Sequence, residues 1–133
     1  NLGAGTITRN LKNTYGTVQL WTPAGTRDTG LVKLGTFFGD HVKTGIGTRL
    51  TTGSVLGAGT NLYGSRMASR YVPPFSWGEG DALGTYRLDR FLATTERAMG
   101  RRGVALTDGA RRQLAAAHAL ATAQRNAGPE GSR

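Results

Sequence analysis

The sequence predicts an all-β solenoid of hexapeptide repeats, a β-helix, followed by an α-helical tail. Two observations predict it: a six-residue period through the middle of the chain, and helical patterns that begin only after this period ends. The first positions of the repeats are Val32, Phe38, Thr44, Leu50, Leu56 and Leu62. Neither an α-helix nor a hairpin sheet has a period of six, whereas the short strands of a β-helix do.

The period also predicts which side chains stack. Three hexapeptides close one turn of about eighteen residues, so first positions one turn apart should lie over each other. We therefore expect Phe38 to lie over Leu56 and Thr44 over Leu62, with the first positions pointing inward. The fifth positions are small or β-branched and should fit inside the corners: Thr36, Val42, Thr48, Ser54 and Thr60. Each turn contacts only its neighbours, so several turns are needed for a stable core.

Along the chain, the sequence predicts four parts. Residues 1–64 are predicted as β-helix coils with an excursion loop at about 10–31, where the period breaks. Residues 65–84 are predicted as an extended linker, which contains two prolines and the motif FSWG. Residues 85–126 are predicted as two helices, the first from about Thr85 to Met99 and the second capped by Thr107, and residues 127–133 as a disordered tail.

The chain begins inside a repeat rather than before one. The segment LGAGTI, from Leu2 to Ile7, has the hexapeptide form with Leu2 first and Thr6 fifth. An exposed first coil would leave its core and strand edges uncovered. We therefore expect the sequence to be the C-terminal piece of a longer protein.

The charge is strongly positive and concentrated near the end of the chain. The net charge is +9, from 17 Lys and Arg against 8 Asp and Glu, and nine of the fourteen arginines lie from Arg87 onward. A solvated basic helix face is the favoured interpretation, and attraction of a phosphate-rich small molecule is the alternative. Nucleic acid is not expected as a partner, because aromatic residues are not interleaved with the arginines and no nucleic-acid motif is present.

Composition restricts the compartment and the chemistry. The chain has no cysteine, which excludes disulfides and thiolate metal sites and fits a cytoplasmic location. No apolar stretch reaches the roughly 18–20 residues that span a bilayer, so no membrane partner is expected. Two scattered histidines do not predict a metal site.

Several motifs resemble one enzyme family. The segments NLGAGTITRNLKNTYG, GDHVKTGIGT, FSWG and TYRLDRFLATTERAMGRRG are similar to bifunctional N-acetylglucosamine-1-phosphate uridyltransferase/glucosamine-1-phosphate acetyltransferases. The variant found in Bacteroidetes is the most similar, and the resemblance covers nearly the whole chain. The six-residue period is shared by many acyltransferases, whereas NLGAGT and the helical tail are more specific.

The resemblance implies a left-handed parallel β-helix, a homotrimer and active sites between subunits. It implies acetyl transfer from acetyl-CoA to glucosamine 1-phosphate within an enzyme that makes UDP-N-acetylglucosamine. The uridyltransferase half, which would use Mg²⁺, lies upstream in the family. The family's catalytic base is a histidine in a coil before NLGAGT, so we expect the fragment beginning at Asn1 to be weakly active or inactive.

The resemblance also assigns ligand contacts. Asn1 and Asn10 correspond to residues that contact the amino sugar, and Lys12 is a weaker match to a phosphate contact. The positions implied for the coenzyme are Ala4, Gly45, Ile46, Gly64, Arg66 and Arg70. Asn1 and Asn10 could instead cap corners, and the two arginines could instead contact acidic groups of a neighbouring subunit.

The two histidines have different interpretations. His41 is the fourth residue of the repeat FGDHVK, and a structural or trimer contact is favoured for it over the role of a surrogate base. His118 lies on an alanine-rich helix without a partner motif and is interpreted as incidental.

Three function classes follow. The favoured one is the acetyltransferase domain of a bifunctional sugar nucleotidyltransferase. The alternative is a non-catalytic trimerisation or scaffold module of such an enzyme. The third is another hexapeptide enzyme, either a different sugar acyltransferase or a γ-class carbonic anhydrase relative. The carbonic anhydrase relative is disfavoured because it needs three zinc histidines and only His41 lies in the repeats.

Overall fold

Two-residue strands pair in parallel through the middle of the chain. The computed structural model describes residues 1–127. Its strands are β1 Gln19–Thr22, β2 Gly25–Asp28, β3 Phe37–Phe38, β4 Lys43–Thr44, β5 Val55–Leu56, β6 Asn61–Leu62, β7 Tyr71–Val72, β8 Ser76–Glu79 and β9 Ala82–Thr85. The helices are α1 Leu88–Gly100 and α2 Asp108–Asn126. Residues 128–133, which belong to the predicted disordered tail, lie outside the described part.

The strands form three small sheets. One has the order β3-β5-β7 and is parallel, and a second has the order β4-β6-β8-β9, with β9 antiparallel to β8. The third is the antiparallel hairpin β1-β2, which lies within the predicted excursion loop. Phe38 pairs with Leu56 and Thr44 pairs with Leu62, so both predicted pairs are confirmed.

The repeats supply most of an aliphatic cluster, and two residues after them complete it. Its buried members are Val42, Leu50, Leu56, Leu62, Ala68 and Val72. The fifth-position residues Thr48, Ser54 and Thr60 are also buried, as predicted. Val32 and Phe38 depart from the prediction that first positions point inward, because both are more than 40% exposed.

A second core forms where the helices meet the end of the repeats. This aromatic cluster contains Phe75, Tyr86 and Phe91, and partly buried side chains of both helices pack against it. The rings of Phe75 and Phe91 meet edge to face with centroids 5.0 Å apart. Thr107 caps α2, as predicted, because its side chain accepts a hydrogen bond from the Ala110 N–H at 3.2 Å.

The predicted fold class, an all-β solenoid with a left-handed parallel β-helix, is wrong: the protein is mixed α/β. The parallel pairs are only two residues long, and antiparallel strands complete two of the sheets. Helix α1 buries Phe91 and Thr95, so it is part of the core rather than a tail. The repeats cover too little of the chain to bury a core alone, and aromatic and helical side chains provide the rest. Within residues 1–127, neither helix is both long and apolar enough to cross a membrane.

Candidate functional site

An open groove of about 600 Å³ lies between the turn after β3 and the C-terminal end of α1. The turn lines one side with Asp40 and His41, and Lys43 follows in β4. Met99 and Arg102 line the helical side. The groove also includes Asn1 and Leu2, so it unites parts of the chain that are far apart in sequence.

His41 has an unusual backbone conformation in this groove. Its φ is 59°, in the left-handed region that few non-glycine residues occupy. The preceding turn is tightly held: a Cβ on Gly39 would lie 2.5 Å from the backbone nitrogen of Ala58. The imidazole meets the Phe91 ring edge-on, with centroids 6.0 Å apart. Packing thus holds His41 in a conformation of the kind often found at functional sites.

The electrostatics of the groove favour a neutral imidazole. Burial lowers the pKa of His41, the nearby Lys43 ammonium lowers it further, and Asp40 opposes the shift. Burial also lowers the pKa of Lys43. A neutral imidazole can accept a proton, so His41 has the protonation state that a general base requires near neutral pH.

Two cations line the groove together with His41. The Nζ of Lys43 donates a hydrogen bond to the carbonyl oxygen of His41 at 3.3 Å. Arg102 lies just beyond the end of α1 and lines the opposite side of the groove. Among residues 1–127, neither cation forms an ion pair. The groove can therefore receive an anionic group close to a potential base.

Of the three predicted sugar-binding residues, only Asn1 lines the groove. Its carbonyl accepts a hydrogen bond from the Thr44 N–H at 3.0 Å. Asn10 is exposed, and its carbonyl accepts from the Leu34 N–H at 2.8 Å. The Nζ of Lys12 donates to the carbonyl of Thr17, within its own loop. The structure therefore does not bring Asn10 and Lys12 to Asn1.

The predicted coenzyme residues of the repeats lie along one edge of the protein. The carbonyl of Ala4 accepts from the Gly47 N–H at 2.9 Å, beside Ile46. Gly45 packs on Tyr63, since a Cβ there would lie 3.1 Å from the Tyr63 Cβ. Ile46 is 82% exposed, and Gly64 follows Tyr63. These residues form a continuous edge, but none of them lines the groove.

The two predicted phosphate-binding arginines are separated from the groove. Arg66 is exposed and lies 3.6 Å from the carboxylate of Asp81. The carbonyl of Arg70 accepts from the Val55 N–H at 2.7 Å, and its side chain is exposed. Neither arginine lines either of the two described cavities.

Sequence reasoning missed the helical side of the groove. Met99 and Arg102 are too far from His41 in sequence for any periodic pattern to connect them. Lys43 had an available signal, because it lies two residues after His41 in the repeat FGDHVK. His118 was interpreted as incidental, but its Nε2 lies 2.7 Å from the Tyr86 carbonyl oxygen and its ring packs on Phe75. That histidine joins α2 to the aromatic cluster.

Comparisons with known proteins do not assign a family. No protein-family model matches the sequence, and the search of curated proteins finds no match. Within residues 1–127, no three His, Cys, Asp or Glu side chains are grouped to hold a metal ion. Function is therefore argued from the chemistry of the groove.

Proposed function

We propose that the groove transfers an acetyl group from acetyl-CoA to the amine of glucosamine 1-phosphate, as part of a bifunctional sugar nucleotidyltransferase. The observation that carries the proposal is the convergence of His41, Lys43, Arg102 and Asn1 around one open groove. An imidazole with a lowered pKa and two cations suit an amine substrate that also carries a phosphate. The motifs NLGAGT and FSWG agree with the same activity by resemblance.

In the proposed reaction, the amine nitrogen attacks the thioester carbonyl carbon. His41 accepts the proton that the nitrogen loses, the carbon–sulfur bond breaks, and the thiolate leaves and takes up a proton. Lys43 and Arg102 hold the sugar phosphate, which aligns the amine with the carbonyl. The edge formed by Ala4, Gly45, Ile46 and Gly64 supports a long coenzyme arm. A homotrimer and a cytoplasmic location belong to the same proposal.

The test measures thiol release from acetyl-CoA with and without glucosamine 1-phosphate. We expect sugar-dependent release, and His41→Asn should lower kcat/KM by about 100-fold or more. Lys43→Gln should raise KM for the sugar phosphate. The matched control, Lys33→Gln, should leave KM unchanged because Lys33 is exposed and does not line the groove. Equal rates for the native chain and His41→Asn would exclude His41 as the base.

A slow reaction needs a second readout. Glucosamine 1-phosphate should shift the ring resonances of His41 in NMR spectra, and Lys43→Gln should weaken this shift. Absence of both turnover and the shift would overturn the proposal.

A non-catalytic assembly module is the second candidate. Exposed apolar side chains favour it, because Leu31, Val32, Phe37 and Phe38 are each at least 41% exposed. We expect light scattering to report a trimer and Phe37→Ser to weaken it. Assembly without sugar-dependent thiol release or binding would favour this candidate over the enzyme.

A further inference from the structure

A second cavity, of about 470 Å³, lies along α1. It is lined by Trp77 of β8, the segment Thr85–Arg87, and residues Arg90, Ala93, Thr94 and Arg97 of α1. The groove described above uses other residues of the same helix, Ala98 and Met99. The volume of this second cavity is within the usual range for a small-molecule site.

One side of this cavity offers a flat aromatic surface. Trp77 is 40% exposed, although it is the largest side chain in its strand. Tyr86 packs against it with ring centroids 4.6 Å apart, and Tyr63 meets it edge-on at 5.6 Å. The Tyr86 hydroxyl is in turn within 2.9 Å of the Thr94 hydroxyl. The indole is therefore held in place while part of it stays open to a ligand ring.

The other side of the cavity is basic. Arg90, Thr94 and Arg97 follow the spacing i, i+4 and i+7, which brings them to one face of α1. Across residues 1–127, Arg90 and Arg97 form no ion pair, whereas Arg87 is paired with Asp89 at 2.8 Å. The charges of both guanidinium groups are therefore available to a bound anion. Guanidinium groups match phosphate oxygens in geometry as well as charge.

We propose that this cavity binds a nucleoside phosphate, with the base on Trp77 and the phosphates on Arg90 and Arg97. The ligand should carry both an aromatic ring and an anionic group, because the cavity has an aromatic side and a basic side. The site does not depend on the proposed acetyl transfer, since it shares no lining residue with the groove of His41. A free nucleotide and the nucleotide end of a coenzyme carry the same chemistry.

The experiment uses Trp77 as its own reporter. The chain has two tryptophans, and Trp21 is stacked on Tyr71 in the β1 region. Trp21→Phe keeps an aromatic ring there and leaves Trp77 as the only indole. Titration with ADP, UDP or coenzyme A should quench its fluorescence, and inorganic phosphate alone should not. No quenching by any nucleotide, or equal effects of phosphate and ADP, would overturn the proposal.

Charge variants test the basic side. Arg90→Gln and Arg97→Gln should each weaken nucleotide binding about tenfold, since each removes a charge-assisted hydrogen bond. Arg112→Gln is the matched control, because Arg112 is an exposed arginine on α2 that lines neither cavity. Equal affinities for all three variants would contradict the assignment of the phosphates.

Comparing ligands distinguishes a free nucleotide from a coenzyme, and one variant distinguishes this site from the acetyl-transfer groove. Binding of coenzyme A about tenfold tighter than ADP would identify the coenzyme, and equal binding would identify a free nucleotide. His41→Asn should leave ADP binding unchanged, so loss of acetyl transfer and loss of this site are distinguishable. Far tighter binding of single-stranded RNA than of any mononucleotide would overturn the small-molecule assignment.

Discussion

The aliphatic and aromatic clusters are built on different principles. Leu50, Leu56, Leu62 and Ala68 of the aliphatic cluster recur every six residues, and the parallel pair Leu56–Val72 stacks two of its members. The aromatic cluster joins Phe75, Tyr86 and Phe91, which share no period and come from a loop, a strand end and a helix. The first cluster repeats one local geometry, whereas the second depends on how α1 docks. The groove of His41 lies between them, since His41 follows β3 and its ring touches Phe91.

The two clusters are nevertheless coupled. The Phe75 N–H donates to the Ala58 carbonyl at 2.8 Å, within the repeats. A Cβ on Gly59 would lie 2.6 Å from the Phe75 ring, and Gly59 has a φ of 72°, so glycine is required there. This contact predicts one cooperative unfolding transition for both clusters.

The largest effect is expected in the aromatic cluster. Phe91→Ala should lower the free energy of unfolding by about 3–5 kcal/mol, because it removes a ring that is 2% exposed and leaves a cavity. Urea unfolding followed by circular dichroism measures this loss. Leu120→Ala, at a site 62% exposed on α2, is the control and should stay within about 0.5 kcal/mol of the native chain. Similar losses for the two variants would contradict the aromatic core.

A slightly smaller loss is expected in the aliphatic cluster. Leu56→Ala should cost about 3 kcal/mol, since Leu56 is 1% exposed and lies between paired strands on both sides. Leu120→Ala, at a site 62% exposed, is the control here too. Strand and helix signals should melt together in Leu56→Ala. Separate transitions would show that the clusters are independent, contrary to the coupling through Phe75.

The cap of α2 should have a moderate effect. Thr107→Ala should lower stability by about 1 kcal/mol, because the Ala110 N–H loses its acceptor. Thr107→Ser keeps the acceptor and should restore most of the loss. Helix α1 begins after Arg87 without a side-chain cap, so packing rather than capping supports it. An unchanged urea midpoint for Thr107→Ala would contradict a stabilising role of the Thr107 cap.

The smallest effect is a pH dependence at the junction of the clusters. The folded-state pKa of His41 is lowered below the ordinary value of 6.5 by burial, then by Lys43, with Asp40 opposing. As the pH falls below 6.5, His41 takes up a proton more readily in the unfolded chain than in the folded protein, and this difference favours unfolding. The stability associated with neutral His41 is therefore fully present above pH 6.5 and is lost as the pH falls through the lowered folded-state pKa. The effect should be small because His41 is only partly buried.

The measurement compares urea midpoints of the native chain and His41→Asn at neutral and mildly acidic pH. The native chain should lose more stability on acidification than the variant does. Identical pH dependence in both chains would contradict a lowered folded-state pKa.

The helices and strand pairs differ in how far sequence predicted them. Helix α2 was predictable because Thr107 supplies a cap and alanines follow it. The pairs Phe38–Leu56 and Thr44–Leu62 were predictable because a repeat places equivalent residues one turn apart. The fold class failed because the period covers residues 32–64 only, and it carries no information about α1.

The candidate site was predictable only in part. Asn1 and His41 were named from sequence and lie together in the groove. Asn10 and Lys12 were named as well, but Asn10 is bonded to Leu34 and Lys12 to Thr17 of its own loop, so neither reaches the groove.

Sequence by itself determined the local geometry of this protein: the repeat register, the small residues inside the corners and the cap of α2. These features depend on residues close together or at a constant spacing, so a linear pattern encodes them. Only the tertiary structure decided that α1 enters the core, that Arg102 and His41 line one groove, and that Trp77, Arg90 and Arg97 line one cavity. Such contacts join distant residues without a period, and side-chain packing alone selects them.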